Sequence, residues 1–367
     1  RTKNLEDKLS DRLHEELTKS FIDKRASILA RGLKQDITFN TKIIDNKRVM
    51  INNQYIGQLN GLKLELDYKI GALDTDIKSL KKAARQNVAP EILKRVGEII
   101  KNNNLQLNDD FKIYWNDYPI AQLTPGKDYL NPDIKLIIDD MIENDDQTKL
   151  TKHLISWIQN KINYELKSLI DLKNIENSNS LVRALAFRIY EGNGVVKRSD
   201  VENFLSQLEQ KDRKVLRAIG VRFGRYHIFL YKLLKPKPVM MRVILWKNYY
   251  QKYLNLNIPK FGLNFLYNGK SLNQNFMLIC GFEKFNNIYV RIDILERLFL
   301  MIFEIGKNEK NEIKLKPEML NLFGCSKENF IKLIENMDYK TYNKNGEIFF
   351  KYSPKKKFRK INKKNKI

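Results

Sequence analysis

Residues 220–238 of the chain are GVRFGRYHIFLYKLLKPKP, which places five Lys or Arg residues among aromatic and aliphatic side chains without a single acid. The apolar residues alternate at first and then cluster, which is typical of a strand that enters a core. We therefore predict a strand over residues 221–230, with a bulge at Gly224. The KPKP run should leave this strand extended, and Pro238 is suited to the first position of a following helix.

The positive charge of the chain is concentrated in its C-terminal half. The 367 residues carry a net charge of +24. Residues 1–180 contain 29 Lys or Arg and 27 Asp or Glu, a difference of +2, whereas residues 181–367 contain 38 and 16, a difference of +22. Cations concentrated in this way are the electrostatic footprint of a protein that binds a polyanion, because each contacted phosphate releases condensed counterions.

Length and composition indicate a globular protein of two or three domains. The hydrophobic fraction of 43% excludes wholesale disorder. The two cysteines, Cys280 and Cys325, indicate no disulfide framework. This favours a reducing compartment, and we expect a cytoplasmic protein. No apolar run approaches the roughly 18 residues of a membrane span, and we expect no membrane partner.

An internal repeat marks the N-terminal half. Residues 51–59 (INNQYIGQL) and 115–123 (WNDYPIAQL) each place a pair of Asn or Asp residues between short apolar alternations, which predicts two β-hairpins. A helix is expected after each hairpin, over residues 74–102 and from about residue 133 to 172. We therefore predict a duplicated hairpin–helix unit over residues 36–175.

The helical pattern before this unit is amphipathic over residues 9–33, and we expect residues 1–35 to dock on a neighbouring domain. Pro90 should break or kink the helix after the first hairpin. Residues 176–308 are predicted to form a basic accessory domain of helices and strands. In that domain, short helices are expected over residues 200–210 and 212–219.

The last structured segment, residues 309–354, has the outline of a winged helix. A helix over residues 317–323, a turn, a helix from Ser326 to Met337 and a hairpin around residues 343–346 follow one another. The second helix is nearly neutral, so we expect a structural role for it. Residues 355–367 should form a disordered basic tail. The predicted fold class is thus α+β and mainly helical, with a C-terminal winged-helix-like module.

Motifs for nucleotide hydrolysis and metal binding are absent from the sequence. The triplet Gly269-Lys270-Ser271 lacks the preceding glycine of a phosphate-binding loop, since Asn264 stands there, and no Asp-Glu dipeptide is present. The three histidines are too scattered for a zinc site. We predict neither catalytic nor metal-binding residues and no cofactor in this chain.

The basic residues around the first stretch are the candidate site. A helix bearing Arg213, Lys214 and Arg217 precedes the strand, and Arg222 should point away from the core face of that strand. Cations edged by aromatic rings suit phosphates and stacked bases, although surface salt bridges would give the same pattern. The candidate nucleic-acid-binding residues are Arg213, Lys214, Arg217, Arg222, Arg225, Tyr226, His227, Lys235, Lys237, Lys355, Lys356, Lys357, Arg359 and Lys360.

Several segments together resemble a helicase family. These segments are LSDRLHEELTKSFIDKR at residues 9–25, GVRFGRYHIF at 220–229, LLKP at 233–236, RIDILERL at 291–298 and PEMLNLFGC at 317–325. In that order they resemble the C-terminal region of superfamily 2 helicases, the bacterial relatives of the mitochondrial RNA-degradosome helicase. The resemblance covers essentially the full length of the chain.

This resemblance implies a role in ATP-dependent unwinding of RNA or RNA–DNA duplexes. In the family, two motor domains that bind ATP and Mg²⁺ precede this region, and a chain that starts without Met fits such a fragment. None of the family's catalytic residues can be carried over, so whether this chain takes part in catalysis stays open. The implied partners are single-stranded or duplex nucleic acid, with RNA favoured, the motor domains of the same polypeptide, and RNA-degradation proteins.

The sequence thus leaves three functions to compare. The first is the accessory C-terminal region of such a helicase, which guides a single strand without reading its sequence. The second is a stand-alone winged-helix DNA-binding protein. The third is a scaffold whose basic surface binds an acidic protein partner.

Overall fold

The computed structural model describes residues 9–10, 12–13, 41–45, 47–51, 54–66, 74–101, 104–139, 142–175, 178–267, 272–308 and 312–353. The chain divides into two compact units, residues 1–160 with 248–251, and residues 161–247 with 252–367. Helices and small antiparallel sheets alternate through the described part, so the fold is mixed. Most of the amphipathic helix predicted over residues 9–33 and the whole predicted basic tail lie outside the described residues.

The first unit begins with a four-stranded antiparallel sheet in sequential order. Its strands are β1 (Thr41–Ile44), β2 (Arg48–Ile51), β3 (Gln54–Asn60) and β4 (Lys63–Leu66). Helix α1 (Asp74–Lys101) follows and confirms the predicted extent. It is continuous through Pro90, so the helix is not broken there. The buried Arg95 of α1 donates to the backbone carbonyl of Gly61 at 2.9 Å, so the helix is fixed to the β3–β4 turn.

A second sheet of the same order follows α1. It contains β5 (Leu105–Leu107), β6 (Lys112–Trp115), β7 (Tyr118–Asp128) and β8 (Asn131–Leu136). Asn116 and Asp117 turn between β6 and β7 with positive φ values of 45° and 67°, which confirms the predicted hairpin. Helix α2 (Asn144–Glu165) begins later than predicted, because the residues of β8 pair with β7 instead.

The second unit opens with helices around a three-stranded sheet. Helices α3 (Lys167–Lys173) and α4 (Ser180–Glu191) lead to β9 (Val195–Lys197), a 3-10 turn (Arg198–Val201), α5 (Glu202–Leu205) and α6 (Gln210–Ile219). Strands β10 (Val221–Phe223) and β11 (His227–Leu230) complete the sheet, and a 3-10 turn (Tyr231–Leu234) ends the segment. The strand order is β10-β11-β9, so β9, which comes first in sequence, pairs with β11, which comes last.

Two further sheets in this unit have the same strand order. Helix α7 (Pro236–Tyr250), β12 (Phe265–Tyr267), α8 (Gln274–Ile279), β13 (Phe282–Phe285) and β14 (Ile288–Arg291) give the order β12-β14-β13. Helix α9 (Ile292–Asn308), β15 (Ile313–Lys314), α10 (Pro317–Phe323), α11 (Lys327–Asn336), β16 (Tyr339–Lys344) and β17 (Glu347–Tyr352) give β15-β17-β16. One apolar core joins α9 to the last module through buried side chains such as Leu298, Phe330 and Phe350.

The helix caps and the hairpin turn of the last module lie where the sequence predicted them. Gly324 has a φ of 64° and ends α10, and the hydroxyl of Ser326 accepts from the backbone N–H of Asn329 at the start of α11. Asn345 and Gly346, both with positive φ, turn between β16 and β17. The predicted helix, turn, helix and hairpin are all present in this order.

Three expectations for residues 200–238 were wrong. The single bulged strand is two strands, because the chain turns at residues 224–226 and β11 folds back on β10. The predicted helix over residues 200–210 is a 3-10 turn followed by the short α5. The KPKP run is not extended, since α7 begins at Pro236; a first turn tolerates proline because its N–H groups have no partner within the helix.

Candidate nucleic-acid interface

Helix α6 presents a basic face to solvent. The apolar Leu216 is buried, whereas Lys214 and Arg217 are exposed. Asp212 anchors the start of the helix, because it accepts from the side-chain amide of Asn179 at 2.8 Å and from the backbone N–H of Glu209 at 3.2 Å. Gly220 ends α6 with a φ of 114°, a conformation that favours glycine, and turns the chain into β10. The cations of α6 are therefore held next to the β10–β11 hairpin.

The tip of that hairpin is fixed by a carboxylate from α9. Glu296 accepts hydrogen bonds from the backbone N–H groups of Arg225 at 2.5 Å, Tyr226 at 3.0 Å and His227 at 2.7 Å. A Cβ atom on Gly224 would lie 2.4 Å from this carboxylate, so the close approach requires glycine. These hydrogen bonds from backbone N–H groups to the Glu296 carboxylate hold the segment that carries Arg225 in place.

Four arginines converge on one cleft beside this hairpin. Arg217 of α6, Arg222 and Arg225 of the hairpin, and Arg297 of α9 line a cavity of about 480 Å³, which we call the arginine cleft. All four residues are exposed. Within the described part of the chain, none of them lies within salt-bridge distance of a carboxylate.

The two acids of the arginine cleft do not neutralise these arginines. Asp293 pairs with Arg291 through two hydrogen bonds of 2.7 and 2.5 Å, and the Glu296 carboxylate binds the hairpin backbone. Aromatic rings hold two of the guanidinium groups, with Arg217 at 5.5 Å from the Phe223 ring centre and Arg225 at 4.9 Å from that of Phe303. Such contacts orient a cation and leave its charge in place, so four cations line the cleft against two acids.

The structure assigns different positions to the other candidates. Lys214, Lys235 and Lys237 are exposed, but they do not line the arginine cleft. Arg213 is half-buried and donates to the carbonyl of Leu205 at 2.9 Å, which ties α6 to α5. The tail candidates lie outside the described residues; these are Lys355, Lys356, Lys357, Arg359 and Lys360.

Tyr226 is a packing residue in this structure. Its half-buried ring stacks on Phe299 at 5.7 Å with an interplanar angle of 12°, and its edge contacts His227. Burial raises the pKa of its hydroxyl. Because one ring face is already covered, Tyr226 is a poor platform for a base.

His227 is fully buried, so the prediction that it contacts nucleic acid was wrong. Its Nε2 lies 2.9 Å from Glu283 and its Nδ1 lies 3.4 Å from Glu296, while Lys197 binds the same Glu283 at 2.9 Å. Burial by itself lowers the pKa of His227, but the hydrogen bonds and charges of the two glutamates outweigh it and raise this pKa. His227 therefore belongs to a buried polar network that joins β9, β11, β13 and α9.

Arg297 is the cleft residue that the sequence reasoning missed. It follows Arg225 by many residues and lies in α9, whose sequence is mostly apolar. The sequence gives one indication of its role, because Arg297 is a charged residue among Leu295, Leu298 and Phe299, which are all buried. Only the packing of α9 against the hairpin brings it beside Arg222 and Arg225.

Comparisons with known proteins add no relative. The chain matches no protein-family model, and neither curated proteins nor solved structures show significant similarity to it. In the described residues, no helix has the length and apolar character to cross a membrane. In the same residues, no three His, Cys, Asp or Glu side chains lie close enough together to hold a metal ion.

Proposed function

We propose that the chain binds single-stranded nucleic acid, with RNA preferred, as the accessory C-terminal region of an ATP-dependent superfamily 2 helicase. The observation that carries this proposal is the arginine cleft, where four guanidinium groups meet without a paired carboxylate. Each guanidinium presents a planar fork of N–H donors that fits the oxygens of a phosphate. A sugar–phosphate backbone carries repeated charges that suit several cations lining one cleft.

The composition of the arginine cleft favours positioning of a strand over recognition of its sequence. Phosphate contacts fix the register of a nucleic acid and carry no sequence information. Arginine can also bind the edge of guanine, so selection from a library of sequences is the test of this point. The proposed role is therefore to guide a strand past this surface.

The order of elements around the cleft supports a winged-helix interpretation. In sequence, helices α5 and α6 lie between β9 and β10 of the first sheet of this unit. Helices α10 and α11 lie between β15 and β16 of its last sheet in the same way. We propose that both segments are winged-helix-like modules. In the first, α6 and the β10–β11 hairpin would contact the strand together, and Arg217 and Arg222 come from these two elements.

The N-terminal unit would act as scaffold in this proposal. Its two sheets have the same sequential strand order, and in both sheets the third strand has one extra residue opposite the second strand, Ile56 in the first sheet and Ile120 in the second. These parallels support a duplicated hairpin–helix unit. Residues 1–35 would dock on motor domains that supply ATP hydrolysis with Mg²⁺.

The test is a binding titration of the whole chain with a short labelled single strand. The double variant Arg222→Ala/Arg225→Ala should weaken binding more than deletion of residues 355–367, because the arginine cleft holds the phosphates in a fixed geometry. Arg183→Ala, an exposed arginine of α4 outside the cleft, is the matched control and should have no effect. Tight binding by the double variant would leave the tail as the sole anchor and contradict the proposal.

A stand-alone DNA-binding protein is the second candidate. The observation in its favour is that each sheet described in the second unit pairs its first strand in sequence with its last. Selection from a library of duplexes separates the two functions, since a regulator enriches one sequence and a strand guide enriches none. Binding to an acidic protein, with no affinity for either nucleic acid, would support the scaffold function instead.

A further inference from the structure

A second cavity adjoins the arginine cleft in the same unit. It has a volume of about 150 Å³ and shares two lining residues, Tyr231 and Asp293, with the cleft. We call it the side pocket. Its wall is mainly apolar and is contributed by the start of α7, the loop before β12 and strand β13; it includes Val239, Ile258, Phe261, Leu263 and Phe282.

Aromatic and aliphatic surface is exposed at the side pocket. Tyr231 is 41% exposed, Phe261 50% and Leu263 40%. These side chains add little to the core, because a large part of each remains in water. Apolar surface that is clustered and exposed around a concavity marks a binding site more often than it marks packing.

The polar groups of the side pocket are cationic or already paired. Lys235 and Lys260 line it and are exposed, and in the described structure neither lies within salt-bridge distance of a carboxylate. Asp293 holds Arg291 in a two-bond pair and is buried, while Arg291 is only half-buried. The pair leaves further carboxylate lone pairs and guanidinium N–H groups that could meet the edge of a polar ring.

We propose that the side pocket takes one unstacked nucleobase of the strand whose phosphates occupy the arginine cleft. This inference rests on the proposed function of the cleft. Tyr231 lines both cavities, so a strand whose phosphates lie among the arginines passes the ring that borders the side pocket. Cationic lysines at the pocket favour a nucleic acid over an apolar peptide, which needs no positive charge.

The size of the side pocket gives it a selective role. Its volume lies below the several hundred Å³ that drug-sized ligands occupy, which limits the occupant to one small ring system. A paired base cannot enter without leaving its partner. Because single-stranded bases are free to stack on aromatic side chains, the pocket selects single strands over duplexes.

The experiment compares a single strand with an abasic sugar–phosphate strand of the same length, each bound by the full chain in a fluorescence titration. The base-bearing strand should bind about 5- to 140-fold more tightly, the range expected for one stacked base. Tyr231→Ala and Phe261→Ala should remove this difference by weakening only the base-bearing strand. Arg222→Ala should weaken both strands, and Phe187→Ala, at an exposed phenylalanine of α4, should weaken neither.

The possible results separate the two proposals. Equal binding of the two strands, with Arg222→Ala still weakening both, would overturn the side-pocket proposal and leave the arginine cleft standing. No binding of either strand would overturn both. Displacement of the strand by an apolar peptide and not by a free nucleoside would assign the pocket to a protein partner. The comparison of strands needs no variant, so it decides even if Tyr231→Ala fails to fold.

Discussion

The carboxylate of Glu296 accepts a hydrogen bond from the backbone N–H of His227 at 2.7 Å, across 69 residues of sequence. The same carboxylate binds the N–H groups of the two preceding residues, so α9 holds the tip of the β10–β11 hairpin at three points. Arg297, the next residue of α9, lines the arginine cleft beside Arg225. One turn of helix thus fixes the hairpin and also contributes a cation to the site.

Replacement of Glu296 by Ala should destabilise the protein by about 3–5 kcal/mol, because three backbone donors lose a charged acceptor in a nearly buried position. Amide hydrogen exchange of Arg225, Tyr226 and His227 measures the effect locally and should accelerate. Glu296→Gln keeps one oxygen acceptor and should lose less.

Glu304→Ala is the matched control for Glu296→Ala, since it removes an exposed carboxylate from the same helix. It should leave the exchange of the three amides unchanged. If the amides remain protected in Glu296→Ala, the carboxylate does not hold the hairpin.

A second prediction concerns two glycines. Gly224→Ala would place a Cβ atom 2.4 Å from the Glu296 carboxylate and 2.6 Å from the carbonyl of His227, so it should lower the stability and weaken strand binding together. Gly306→Ala in α9 meets no atom within 4 Å and should stabilise by about 0.4–1 kcal/mol. Denaturant unfolding of both variants checks the signs, and a neutral Gly224→Ala would contradict the described approach.

The buried histidine predicts a pH dependence of stability. The pKa of His227 is raised in the folded state by Glu283 and Glu296, which overcome its burial. Its stabilising contribution is therefore complete below the unfolded-state pKa of about 6.5 and is lost as pH rises through the higher folded pKa. In that window the unfolding free energy should fall by at most about 1.4 kcal/mol per pH unit from this one proton.

The carboxyl group of Glu283 in the same network gives stability the opposite dependence on pH. Burial alone raises the pKa of Glu283, but hydrogen bonds and charges from His227 and Lys197 outweigh it and lower this pKa below its ordinary value of 4.5. Its contribution to stability is present above pH 4.5 and is lost as pH falls through the folded pKa.

The variant His227→Gln should remove the loss of stability above pH 6.5, whereas His153→Gln in α2 should keep it. An unchanged slope in His227→Gln would contradict the network.

Local signals in the sequence predicted much of the fold. The turn at Asn116-Asp117, the end of α6 at Gly220 and the start of α11 at Ser326 each follow from one residue type and its neighbours. Strand β8 was mistaken for helix because its pairing with β7 is a tertiary contact that its own sequence does not signal. The prediction of an extended KPKP run was wrong because a first helical turn also tolerates proline.

The candidate site was predictable only in part. Arg217, Arg222 and Arg225 lie close together in sequence, so their charge was visible there. The place of Arg297 depends on how α9 packs, and the burial of His227 depends on Glu283, which is 56 residues away. A charge pattern alone cannot separate a cation that faces solvent from a titratable group that closes a buried network.

Arg297 provides the most direct test of the central claim, because only the three-dimensional structure brings it to the arginine cleft. The measurement is the affinity of the full chain for a single strand as a function of salt concentration. Arg297→Ala should reduce the slope of log affinity against log salt by about 0.7, the value for one lost phosphate contact on a single strand. Arg183→Ala should keep the full slope. A slope that is unchanged in Arg297→Ala, or a wild-type affinity that does not respond to salt, would contradict phosphate binding in the arginine cleft.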